Sequence, residues 1–112
     1  MNNTRDRENS ILASFLYIDD MGENKDEVFI IDSNIFTSAY RRAVANKIND
    51  ETKTDQNYGF LSVTLENDTA GTTFEQDWID IIAQTPFPLT VAKRMNEKLV
   101  TKHKERIAKA FR

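Results

Sequence analysis

The 112-residue sequence predicts an all-α domain. Two observations carry that expectation: apolar residues recur at spacings of three and four in four separate segments, and only three glycines and two prolines interrupt the chain. A third is composition. Hydrophobic residues make up 39 % and charged residues 29 %, with seven Phe, three Tyr and one Trp, enough to build a core in one domain of this length.

In residues 7–18, Ile11, Leu12, Phe15, Leu16 and Ile18 form one apolar stripe, so the first element is a helix with a buried face. "DDMGENKDE" follows without periodicity and reads as a loop. "VFII" is short and wholly apolar, and fits either a buried strand or a helical turn. The clearest helix is "DSNIFTSAYRRAVANKIND". There Ile35, Phe36, Ala39, Tyr40, Ala43, Val44 and Ile48 share a face, Asp32 or Ser33 caps the start, and Asn49 suits the end. Arg41, Arg42 and Lys47 are expected to face outward, and "DETKTDQN" to be a loop. "YGFLSVTLEN" reads as a helix through Tyr58, Leu61 and Leu65, although the alternation of Leu61, Val63 and Leu65 fits a strand nearly as well.

The next helix carries Phe74, Trp78, Ile81 and Ile82 on its apolar face. Thr72 and Glu75 have the spacing of a reciprocal N-terminal cap. Pro86 and Pro88 then push Thr85 and Phe87 out of helical geometry, making "TPFP" a rigid corner. Beyond it, residues 89–111 form one long basic amphipathic helix of about six turns. Its stripe runs through Leu89, Ala92, Met95, Leu99, His103, Ile107 and Phe111. Residues 7–88 are the head of a single domain covering 1–112, and 89–111 the helix that leaves it.

Charge is divided along the chain. Residues 1–88 hold 7 Lys+Arg against 16 Asp+Glu, a net −9, whereas residues 89–112 hold 8 against 2, a net +6. Such asymmetry marks a candidate interaction surface. Lys and Arg near phosphates displace counterions, which makes nucleic acid a possible partner. The bases of the last helix nevertheless spread around it without interleaved aromatics, so that reading is weak.

Few groups could carry catalysis. No phosphate-binding glycine loop can be written from Gly22, Gly59 and Gly71, and His103 sits between Lys102 and Lys104 with no second histidine for a metal pair. No serine lies in a GxSxG turn. The pairs Asp19–Asp20 and Asp26–Glu27 suit solvated turns, and Asp77–Asp80 suits the first turns of a helix, where the macrodipole favours negative charge. A non-enzymatic domain without cofactor or metal is expected. The absence of cysteine fits a reducing compartment, and no apolar run approaches the ~20 residues of a membrane span. "MNNTRDRENS" lacks the order of a signal peptide. A cytoplasmic location without membrane contact is the expectation.

What remains is binding. Val100, Ile107 and Phe111 depart in part from the face of Ala92, Met95 and Leu99, so apolar surface is left over for another polypeptide. The candidate contacts are Leu99, Val100, His103, Ile107 and Phe111, with Lys102 and Arg106 as charges at the rim. Arg41 and Arg42 are second-choice contacts.

The order of segments resembles the N-terminal domain of DnaB-type replicative DNA helicases of bacteria. The likeness rests on "ENSILASFL" from Glu8, with Ala13 where the family usually has Gly, and on "NIFTSAYRRAVANKI" through Phe36, Arg41, Arg42, Val44 and Ile48. "YGFLSVTLE" is similar to the family's next helix, and "GTTFEQDWIDIIAQTP" to its turn, apolar helix and Thr-Pro corner. The likeness covers roughly residues 8–107. It implies a small helical head followed by a helical hairpin, and a non-catalytic role in DNA replication: self-association into an oligomer and binding of primase or loader proteins. The helicase-binding C-terminal domain of bacterial primase has a similar fold and is the alternative identity. The chain ends within or just after the first hairpin helix, so a truncated or free-standing form of the domain is expected.

Overall fold

Five α-helices and one 3₁₀ turn make up the computed structural model, which describes residues 3–18 and 29–110: α1 (Asn3–Leu16), the 3₁₀ turn (Ser33–Ile35), α2 (Ala39–Lys53), α3 (Tyr58–Thr69), α4 (Glu75–Ile82) and α5 (Leu89–Ala110). The all-α expectation holds, and no strand occurs among the described residues. The loop expected over 19–27 lies outside them. "VFII" is neither strand nor helix over its described part, Phe29–Ile31.

α1 is the axis of the fold, packing against all four other helices. Every residue from Glu8 to Leu16 is buried, so the single stripe expected from its spacing is a helix enclosed on all sides. Ser10, Ala13 and Ser14 make this possible, because small side chains let neighbouring helices approach. Ser14 Oγ donates to Ser10 O at 2.7 Å, which satisfies the hydroxyl inside the helix. Ile11, Leu12 and Phe15 each contribute roughly 1.5–3 kcal/mol by leaving water. Around Phe15 the rings of Phe29 and Tyr58 meet edge-on, at centroid distances of 5.1 and 5.7 Å.

α2 starts later and ends later than its sequence suggests. Asp32 caps the 3₁₀ turn through the Asn34 amide, while Ser38 caps α2 through the Arg41 amide at 3.1 Å. Asn49 does not end the helix. Its side chain instead accepts from Ile31 N at 2.8 Å and donates to Ile31 O at 2.7 Å, pinning the irregular strand of chain before the 3₁₀ turn. The helix therefore runs on to Lys53, through the first residues of the expected loop. Gln56, at φ 54°, takes the left-handed position, and Asn57 caps α3 through the Phe60 amide. "YGFLSVTLEN" is a helix.

The turn into α4 departs from a reciprocal cap. Thr72 Oγ1 accepts from the Phe74 amide at 3.2 Å, and the Glu75 carboxylate reaches one residue further back, to the Gly71 amide at 2.7 Å. Gly71 supports this at φ 77°, in the left-handed region glycine enters without strain. After α4 the Thr-Pro-Phe-Pro corner behaves as expected. Phe87 N donates to buried Ser14 Oγ at 2.8 Å, fastening the corner to α1, and Pro88 O accepts the Val91 and Ala92 amides that open α5.

Candidate interaction surface

α5 has two halves. In the first, Leu89, Ala92, Asn96 and Leu99 are buried and Met95 and Val100 half-buried, on the face that packs against α1. In the second, from Thr101 to Ala110, every residue except half-buried His103 is exposed. The helix is about 33 Å long at 1.5 Å per residue, within a molecule whose longest extent is 44 Å. Among the described residues, its distal turns lie over the 3₁₀ turn and the adjoining Phe36 and Thr37.

Two open grooves flank this crossing. One, of about 380 Å³, runs between Ile35 and Phe36 on one side and His103, Arg106 and Ile107 on the other. The second, of about 210 Å³, lies between Ile35 and Leu99, Lys102 and Arg106. Ile107 remains 45 % exposed and Ile35 is buried under the helix. The result is an apolar seam bordered by the cations Lys102, Arg106 and Lys109. Among the described residues, no base of α5 forms an ion pair.

The sequence-derived contacts are distributed unevenly over this arrangement. Lys102, His103, Arg106 and Ile107 come together on the distal half of α5. Leu99 is buried and Val100 half-buried, so these two fasten α5 to the head. Phe111 lies outside the described residues. Arg41, expected to face outward, is buried: its Nε lies 3.6 Å from the Glu8 carboxylate, and its Nη2 donates to Thr37 Oγ1 at 2.7 Å. Arg42 is half-buried and donates to Phe36 O at 2.9 Å, holding the chain beside the first groove.

A second apolar surface was not foreseen. Tyr40 and Phe74 stack at 5.3 Å, with planes 16° apart, over a groove of about 410 Å³ between α2, the end of α3 and the turn into α4. Tyr40 Oη and Thr69 Oγ1 share a 3.1 Å hydrogen bond that fixes this wall. Burial pushes the Tyr40 phenol above its ordinary 10.0, the Thr69 hydrogen bond partly opposes this, and the charge of Asp77 adds to it. Phe74 is 47 % exposed. The sequence spacing puts Phe74 on the buried face with Trp78 and Ile81, but α4 begins only at Glu75, and Phe74, in the flanking cap position, turns outward to solvent instead.

No group of three or more His, Asp or Glu side chains among the described residues could hold a metal ion, and no helix of the described residues is long and apolar enough to cross a membrane. Comparison of the chain with protein-family models, with curated proteins and with solved structures finds no match.

Proposed function

We propose that this chain is a non-catalytic protein-interaction domain of the replicative-helicase N-terminal type, which self-associates and docks primase or another replication protein through the distal half of α5. The observation that carries the reading is the mismatch between helix and head: α5 continues for ten residues past Val100 with almost no cover, and Ile107 stays half in water. Half-exposed aliphatic surface between cations suits a docking edge, where the apolar side chain gives affinity and the rim charge speeds encounter. A head with one long outgoing helix supports the reading in so far as it matches the head and first helix of the head-and-hairpin arrangement that the family resemblance implies. Glu8 and Arg41, two residues on which that resemblance rests, meet inside the fold.

Titration of a bacterial replicative helicase and, separately, of a primase into the chain tests the reading. Binding to at least one, weakened about tenfold or more by Ile107→Asp, is expected for a central apolar contact. Binding to primase alone favours the helicase-like identity, and binding to helicase alone the primase-like one. Absence of binding to either, or equal binding by wild type and variant, would refute the proposal.

A further inference from the structure

Residues 54–88 contain Asp55, Glu66, Asp68, Glu75, Asp77 and Asp80 and no Lys or Arg, whereas residues 89–112 carry a net +6. The fold does not bring these two regions together for mutual neutralisation. α5 packs on α1 and the 3₁₀ turn, its bases form no ion pairs among the described residues, and the acidic stretch builds α3 and α4. The acidic stretch is also apolar in places. Phe60, Val63, Phe74 and Ile79, four of the large hydrophobic side chains left exposed, belong to this stretch.

The groove beneath the Tyr40–Phe74 stack is lined at its base by Val44 and Leu65. Its volume is about 410 Å³, room enough for an aliphatic side chain. Exposed Asp68 stands on its rim and Asp77 acts on Tyr40 within its wall, opposed by the single base Lys47. An aliphatic side chain flanked by cations complements the apolar base of the groove and the acidic stretch around it. Distal α5 presents Ile107 among Lys104, Arg106 and Lys109.

We infer that the distal half of α5 of one copy docks, through Ile107, in the Tyr40–Phe74 groove of a second copy. The inference rests on the reading of distal α5 as the docking segment and adds its receiver. Helix and groove are different patches on opposite poles of charge, so the contact is heterologous and propagates head to tail, giving a ring or an open chain of copies. Attraction between the two poles makes it weaken with added salt.

Sedimentation velocity of the full chain over a concentration series, at low and high salt, tests this. Two variants are needed: Ile107→Asp, which spoils the helix, and Asp68→Lys with Phe74→Ala, which spoils the groove, each checked for an unchanged helical spectrum. Asp68→Lys alone, on an exposed helix position, guards against loss of fold in the double variant and should act in the same direction. Wild type is expected to associate at low salt and dissociate at high salt, and each variant alone to associate about tenfold more weakly. An equimolar mixture of the two should regain dimers, because one supplies an intact groove and the other an intact helix. If Ile107→Asp abolishes association while the groove variants match wild type, the receiver is wrong but the docking helix stands. If Ile107→Asp also matches wild type, the docking helix falls too. A wild-type chain that stays monomeric at low salt overturns the inference and, with it, the self-association in the proposed function, while the docking of a replication protein is judged separately by the helicase and primase titrations.

Discussion

Glu8 and Arg41 sit on different helices and form an ion pair inside the core, 3.6 Å from carboxylate oxygen to Nε, with Thr37 between them. The Glu8 carboxylate accepts from Thr37 N at 2.6 Å and from Thr37 Oγ1 at 3.1 Å, while Arg41 Nη2 reaches the same hydroxyl at 2.7 Å. The pair clamps α1 to the start of α2, and with it the 3₁₀ turn that α5 crosses. Glu8→Gln should therefore cost about 3–5 kcal/mol, because it leaves a guanidinium buried without its counter-charge. Adding Arg41→Met should recover much of that loss, since it removes the buried guanidinium left without its counter-charge. Urea unfolding of the three proteins checks this, and a Glu8→Gln midpoint equal to wild type would contradict it.

Ser14 fixes where α5 departs. Its hydroxyl is the acceptor for the Phe87 amide in the Thr-Pro-Phe-Pro corner. Ser14→Ala should destabilise the fold by about 1–3 kcal/mol, the cost of an amide left without a partner. It should also speed hydrogen exchange at Phe87 ahead of the helices on either side. Unchanged exchange at Phe87 would show that the corner is held by its prolines alone.

Alkaline pH should loosen the head. Burial raises both the Tyr40 and the Tyr58 phenols above 10.0; for Tyr58 the Thr52 hydrogen bond opposes the rise and the Glu51 charge adds to it. An acid whose folded pKa is raised stays protonated in the fold after the unfolded chain has begun to lose its proton. Its contribution is then full below pH 10.0 and lost as pH climbs through the folded value. The unfolding midpoint should fall across that window in wild type, and less steeply in Tyr40→Phe with Tyr58→Phe. Equal slopes would contradict the prediction.

Much of the architecture is legible in the spacing of apolar residues. The helices over Ile11–Leu16, Tyr40–Ile48, Tyr58–Leu65 and Trp78–Ile82, and the proline corner, follow from it directly. What escapes that reading is polar. Glu8 stands at the i, i+3, i+4, i+7 positions with Ile11, Leu12 and Phe15, and Arg41 does so with Val44, Ala45 and Ile48. Two opposite charges on two buried stripes signal a buried pair, but a count of hydrophobic residues passes over Glu8 and turns Arg41 outward. Asn49 fails for the same reason, because its suitability for a helix end hides the alternative that its amide serves a distant backbone. The Tyr40–Phe74 groove depends on how α2 meets the turn into α4, a tertiary relation that no local pattern encodes.

The proposed function stands or falls on the uncovered half of α5 as the place where another polypeptide binds. At 12.9 kDa the chain suits residue-by-residue mapping of amide chemical shifts, recorded while its own concentration is raised and while helicase or primase is added. The largest changes should cluster from Thr101 to Ala110, above all at Lys102, Arg106 and Ile107, with the Ser14–Phe87 region unmoved. Binding that shifts other surfaces and leaves those α5 amides in place would contradict it.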